Sequence, residues 1–265
     1  MRQVCTWMLC LMLLSVGSVV LGGEVGVGTV TGKVFVKDGV PLDNGVVYFF
    51  NQSSGPPPSS DRYWRVPDEI VTTDSRGVFT AKIVEGRYYI GAIKRMKSDG
   101  QDIGPPRDGD LFLPINNENG VPKLLVVQEG KTADLGIVTG AVPFYKKPVS
   151  KDITGIAGKI TDQQGKPLQG VMVFAFVTPA MVGKPLYVSE PTGKDGAYLL
   201  TVDQGGTYYL KVRNVYGGGA MKTGDILGSY GQDKPAAVEV KFGSVVKGIA
   251  IKGIHFPGQG PKKDK

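Results

Sequence analysis

The chain has 265 residues, with 39 glycines, 18 prolines, two cysteines, one histidine and a formal charge of +7. That length holds two domains of ordinary size, and its scattered lysines and arginines favour anionic polysaccharide, lipid head groups or acidic protein over nucleic acid. The cysteines are Cys5 and Cys10 and the histidine is His255, which excludes a disulfide framework and a thiolate metal site from the rest of the chain, and with them the zinc hydrolases that need two nitrogen ligands.

In chain order, a signal peptide comes first. Arg2 supplies a positive start, and Trp7 to Leu14 and Val16 to Leu21 form an apolar stretch too short for a spanning helix. Small residues follow at Gly22 and Gly23, so residues 1–22 are expected to be removed on export to the periplasm, the outer surface or the extracellular space. Met8 and Leu9 before Cys10 do not suit a lipid-attachment site. No second long apolar stretch follows, so the mature chain is expected to carry no transmembrane segment.

The mature chain then repeats itself. Gly32-Lys33-Val34, Asp38-Gly39, Pro41-Leu42 and Gly45-Val46-Val47 reappear as Gly158-Lys159-Ile160, Gln164-Gly165, Pro167-Leu168 and Gly170-Val171-Met172. Gly77-Val78-Phe79 matches Gly196-Ala197-Tyr198, and Gly86-Arg87-Tyr88-Tyr89 matches Gly206-Thr207-Tyr208-Tyr209. Gly109-Asp110-Leu111 matches Gly224-Asp225-Ile226. Within each copy the apolar residues alternate, as Tyr208, Leu210 and Val212 do against Lys211 and Arg213, which marks half-buried antiparallel strands.

Strands are predicted near 29–37, 45–51, 69–73, 78–84, 87–95, 123–128 and 133–139. The second copy has them near 154–161, 170–177, 186–190, 197–202, 207–213, 237–242 and 245–252. Turn pairs such as Asp38-Gly39 and Gly205-Gly206 separate them. The expected fold is all-β, two tandem seven-stranded antiparallel sandwiches of Greek-key type. They span residues 28–140 and 153–253, with a linker at 141–152 and a disordered basic tail at 254–265.

These motifs together resemble the carboxypeptidase regulatory-like domain over nearly all of both copies. The resemblance implies a prealbumin-like (transthyretin-like) sandwich, grouped with carbohydrate-binding-like folds. It implies an accessory role in assembly, adhesion or sugar contact, and it fixes the fold better than the function.

Chemistry is sparse. One histidine cannot support a metallocarboxypeptidase site or a supported catalytic triad. Asp99, Asp102, Asp108 and Asp110 could form a carboxylate pair or hold calcium, against the simpler reading of a solvated acidic loop; the helix-loop calcium pattern is absent. Gly217-Gly218-Gly219 lacks the Gly-Lys-Ser/Thr ending of a phosphate cradle. No catalytic residue, metal or cofactor is expected. The remaining candidate is the loop Asn51 to Val66. Its Arg62, Tyr63, Trp64 and Arg65 could stack on and hydrogen-bond a sugar, or Trp64 could fold back as a lid on the core. The expected function is a non-catalytic envelope or extracellular scaffold that binds a protein or an anionic polysaccharide; the alternative is a carbohydrate-binding protein using the Tyr63–Trp64 loop. N-terminal sequencing of the exported protein should begin at Gly23 or Glu24; a lipid-blocked Cys10 would contradict this reading.

Overall fold

The computed structural model describes residues 25–97, 103–148, 150, 152–217 and 220–258. The expected signal peptide, Asp99, Asp102, Gly218 and Gly219 lie outside them. Among the described residues the chain is all-β apart from one 3-10 turn, Gln52–Ser54. No helix there is long and apolar enough to cross a membrane.

The first repeat contains β1 (Val27–Val36), β2 (Val46–Asn51), β3 (Trp64–Arg65), β4 (Glu69–Thr72), β5 (Val78–Val84), β6 (Gly86–Lys94), β7 (Leu111–Pro114), β8 (Leu124–Val127) and β9 (Thr132–Pro143). The second contains β10 (Thr154–Thr161), β11 (Met172–Phe176), β12 (Tyr187–Val188), β13 (Ala197–Val202), β14 (Gly206–Arg213), β15 (Ile226–Ser229), β16 (Ala237–Val240), β17 (Val245–Lys252) and β18 (Ile254–His255). The sequence reading anticipates every strand except β3, β7, β15 and β18.

Both repeats use one topology. β1 lies between antiparallel β5 and parallel β9, as β10 lies between β13 and β17. Opposite them run β4-β2-β6, with β7 and β8 both on β6, and β12-β11-β14, with β15 and β16 both on β14. In the first repeat β9 runs on to pair with β7, which joins everything but β3 into one eight-stranded sheet. In the second, the chain breaks at Gly253 and β18 takes over that pairing, leaving a three-stranded and a seven-stranded sheet. The expected pair of seven-stranded sandwiches differs accordingly. Residues 141–143 belong to β9 rather than to a linker, and Ile254 and His255 are strand rather than tail.

The recurring motifs are structural. Gly77 and Gly196 have φ of +72° and +68°, and an added Cβ would lie 2.4 and 2.5 Å from the carbonyls of Val34 and Ile160, so both positions require glycine. Tyr88 and Tyr208 each donate their hydroxyl over 2.9 Å to the carbonyl four residues earlier, closing the turn before the strand. Thr73 Oγ1 accepts from the Gly45 N–H as Thr192 Oγ1 accepts from the Val171 N–H. Gly45 therefore corresponds to Val171, one residue beyond the Gly170 that sequence matching pairs with it. Pro41 and Pro167 bridge to Phe35 and Thr161 at the same spacing of 126 residues.

Each repeat has an inner core, around Val47, Phe49 and Tyr88 in one and around Val173, Ala175 and Tyr208 in the other. Each also has an outer apolar cluster, centred on Tyr48 and Phe50 or on Phe174 and Phe176. β2 and β11 are consequently buried on both faces, the condition in which period-two alternation disappears.

The Gly-Asp-aliphatic motif is an ion-pair clasp. Asp110 is 3 % exposed. It is paired with Arg95 and accepts from the Arg107 N–H at 2.8 Å, which corrects the reading of Asp110 as part of a solvated acidic loop; Asp108 is exposed. Asp225 accepts from the Lys222 N–H at 2.8 Å and lies 3.9 Å from Arg213. Removing one partner of a buried pair strands the other charge. Asp110→Ala should cost about 3–5 kcal/mol in urea unfolding and Asp225→Ala, with its looser pair, about 1–3 kcal/mol. Equal small losses would contradict the burial of the first clasp.

Candidate functional site

The loop Asn51 to Val66 does not hang from the first repeat; it straps it to the second. Asn51 Oδ1 accepts from the Ser53 N–H and caps the 3-10 turn, and Gly55 leaves that turn at φ +141°, a glycine conformation. Three prolines, Pro56 to Pro58, follow, with a bend at Pro56. The chain then enters β3, which adds to the edge of β12 in the second repeat, with Arg65 opposite Tyr187 and Trp64 opposite Val188. The Val66 N–H extends the ladder to the Leu186 carbonyl at 3.0 Å.

Arg65 pins the strap. Its side chain is buried. Nη1 donates to the Gly55 and Pro56 carbonyls at 2.8 Å each, and Nη2 donates to the Asn51 carbonyl at 3.1 Å. Asp68 lies 3.6 Å away, and the guanidinium sits 5.7 Å from the Phe50 ring centre. Burial pushes the Arg65 pKa down while Asp68 opposes the shift. Trp64 is half-buried, meeting Phe112 and Phe144 at ring-centre distances of 6.3 and 6.0 Å and packing on the outer cluster of the second repeat. Tyr63 donates to the Pro57 carbonyl at 3.0 Å and stacks edge-on to Tyr187 at 5.9 Å. Burial raises its phenol to about 12.

Of the four sequence-predicted residues, Trp64 and Arg65 thus point into the junction, whereas Arg62 is exposed and Tyr63 stands beside it at the rim. Two clefts flank this rim. One, of about 400 Å³, includes Asp61, Arg62, Lys146, Lys147 and Glu190. The other, of about 310 Å³, includes Arg62, Tyr63, Asp152, Asp203, Gln204 and the exposed Phe242. Lys146 and Glu190 pair across the first cleft. A hydrogen bond from Ser59 holds the Asp61 carboxyl below its usual range, with Lys147 and Arg62 adding to the effect. The rim offers cations, carboxylates, an amide and an aromatic ring, a set suited to binding polar or anionic groups.

The other sequence candidates lie elsewhere. Asp108 accepts from the Lys146 N–H at 2.6 Å, and His255 is exposed on β18. Among the described residues no group of three His, Cys, Asp or Glu side chains could hold a metal ion. Sequence reasoning missed Asp68 and Lys184, which form an ion pair at 2.5 Å across the junction. The available signal was the unbroken apolar run of Val46–Phe50 and again of Met172–Phe176, which calls for a cover on both faces.

No family model matches the chain, and no curated protein matches it. Among solved structures it is similar to the Bacillus anthracis TIE protein, at 15% identity over 87% of this chain and 34% of that one, with a TM-score of 0.26. It is also similar to a leucine-rich repeat protein from Bacteroides thetaiotaomicron, at 14% identity over 88% of this chain and 27% of that one, with a TM-score of 0.26. The minor pilin of Streptococcus agalactiae matches at 14% identity over 89% of this chain and all of that one, with a TM-score of 0.23. The chain therefore spans about a third or less of the first two proteins, and its function is argued from its own residues.

Apart from Trp7, in the segment expected to be removed on export, Trp64 is the only tryptophan, so in a chain lacking that segment its fluorescence reports on the junction. Its emission should be blue-shifted and resistant to iodide. Trp64→Ala should cost about 2–4 kcal/mol, at or just below the range for fully buried aromatics. A red, freely quenched emission would show that the strap is not seated.

Proposed function

We propose that the chain is an exported, non-catalytic binding or scaffold protein of the envelope or extracellular space, built from two carboxypeptidase regulatory-like modules. The observation that carries this reading is the strap. A strand of the first repeat completes a sheet of the second, so the two modules present one shared rim at Arg62 and Tyr63. An enzymatic reading finds little to work with: the single histidine is exposed at a sheet end, and Asp108 and Asp110 are engaged by the Lys146 amide and by Arg95. Protein or anionic polysaccharide is the expected partner class, because Arg62, Lys146 and Lys147 gather at one cleft.

The alternative, carbohydrate binding by the Tyr63–Trp64 loop, is favoured by the second cleft, where Asp203, Gln204 and Arg62 lie near the exposed Phe242 ring. In that reading sugar contacts fall to Arg62 and Tyr63, since the Trp64 ring is occupied by Phe112 and Phe144.

Replacing Arg62 with a photo-crosslinking residue in the producing cell discriminates the two. The scaffold reading expects one envelope protein adduct, identified by mass spectrometry and lost on adding Lys147→Glu. If no protein adduct forms and a glycan array shows binding that Arg62→Glu weakens at least tenfold, the alternative replaces it. Turnover of any bound glycan or peptide would sink both.

A further inference from the structure

One corner of the second repeat departs from its counterpart in the first. The correspondence follows from matched hydrogen bonds. The Lys131 N–H donates to the Gln128 carbonyl and the Thr29 N–H to the Lys131 carbonyl, as the Ser244 N–H donates to Lys241 and the Gly155 N–H to Ser244. Phe242 therefore corresponds to Glu129, and Asp152 to Gly26. The Tyr88 and Tyr208 hydroxyls donate to the Val84 and Gln204 carbonyls, which matches Gln204 to Val84, Gly205 to Glu85 and Asp203 to Ile83.

In the first repeat two glutamates crowd this corner. A Cβ added at Gly26 would lie 3.0 Å from the Glu129 Cβ and 3.1 Å from the Glu85 carboxyl carbon. In the second repeat Gly205 has no side chain to fill the same place. The turn that carries Phe242 lies against its backbone, where an added Cβ would be 2.7 Å from the Phe242 nitrogen. Beside it is the cleft of about 310 Å³. Phe242, at 72% exposure, presents an aromatic ring there. Asp203 is held in position by the hydroxyl of the buried Tyr187 and by the Gln204 amide nitrogen at 3.3 Å. That orientation leaves the Gln204 Oε1 as an acceptor. Exposed Asp152 and Arg62 complete the polar lining.

We infer that this cleft binds a neutral oligosaccharide, with one pyranose ring seated on Phe242 and its hydroxyls shared among Asp203, Gln204, Asp152 and Arg62. The aromatic face suits the C–H face of a sugar ring. The two carboxylates and the Gln204 Oε1 accept, and the guanidinium donates, so a hydroxyl that does both can bridge them. Two carboxylates stand against one guanidinium, so a uronate or sulfated sugar meets net repulsion. An alkylammonium would suit the carboxylates but would face Arg62 in the same cleft. The volume lies at the lower end for small-ligand pockets, with room for about one or two sugar rings. The inference rests on the carbohydrate reading given above, to which it adds the class of sugar and the residue that carries the ring.

The test is calorimetric titration of the full chain with lactose, maltose, cellobiose and mannobiose, and with digalacturonate as the charged counterpart. At least one neutral disaccharide should bind at least tenfold more tightly than digalacturonate. Phe242→Ala should weaken that binding at least tenfold and Phe242→Trp should restore it. The Phe242→Ala variant should keep the blue Trp64 emission of a seated strap, because the ring it removes is exposed. Asp152→Lys should narrow the gap between the neutral and the charged sugar. Tighter binding of digalacturonate would overturn the inference and leave the carbohydrate reading in place. So would neutral-sugar binding that Phe242→Ala leaves intact and Arg62→Glu abolishes. Absence of binding by every sugar at millimolar concentration would overturn both. Butylammonium binding more tightly than any sugar, and lost in Phe242→Ala, would assign the cleft to a cationic side chain and would also overturn the inference.

Discussion

The burial of one guanidinium organises the junction. Arg65 can be buried only because three backbone carbonyls, of Asn51, Gly55 and Pro56, converge on it with Asp68 nearby. Unpaired, a buried charge costs several kcal/mol; with Nη1 and Nη2 engaged, the same charge selects a single loop conformation. Two of those carbonyls, of Gly55 and Pro56, come from the turn that opens the proline run, and the Asn51 and Gly55 N–H groups are spent on Asp68 and on the Gln52 carbonyl. Once Arg65 is fixed, alternation along β3 turns Trp64 to the other face, onto Phe112, Phe144 and the outer cluster of the second repeat.

That placement explains the burial of the sheets. A two-layer sandwich normally leaves one face of each sheet to solvent. Here β11 is covered on one face by its own repeat's core and on the other by Val66 and Trp64 of the first repeat, and the outer face of β2 is covered by Ile103 and Phe112 of its own repeat. Tyr216 shows the same dependence. It packs on Phe174 at 5.8 Å in its own repeat and lies near Gly104 of the other, and burial pushes its phenol pKa up. The two repeats share one strand pairing and part of their packing.

Much of the fold was legible because its devices recur. Gly77 and Gly196, Tyr88 and Tyr208, and Asp110 and Asp225 each appear twice at matched positions, and each performs the same backbone task in both copies. The four missed strands are short and lie in segments whose pairing partners are distant in sequence, so alternation over two to four residues could not mark them. The site was legible only in part. Tyr63 and Trp64 were visible as aromatics in a polar loop, but the loop's destination was not, because β12, which receives it, is more than a hundred residues away. Asp110 was misread for the same reason: its flanking Gly109 indicated exposure, while its partner Arg95 gave no local sign.

The asymmetry of the junction follows from one difference in loop length. From the end of β2 to the start of β4, Asn51 to Glu69, is 18 positions, whereas the corresponding Val177 to Tyr187 is 10. The additional eight include the Gly55-Pro56-Pro57-Pro58 turn that anchors Arg65. The shorter loop has neither anchor nor arginine. The Asp68 and Leu186 N–H groups donate to the Phe49 and Ala175 carbonyls, the same core position of β2 and β11, so Gly183 stands where Arg65 does and Val182 where Trp64 does. It can bring Lys184 to Asp68 but has nothing to hold an adjoining strand against β4. One insertion therefore decides which edge is closed from within the chain. The arrangement is that of a repeated module in which one copy covers the edge of its neighbour while its own β4 pairs only with β2 among the described residues.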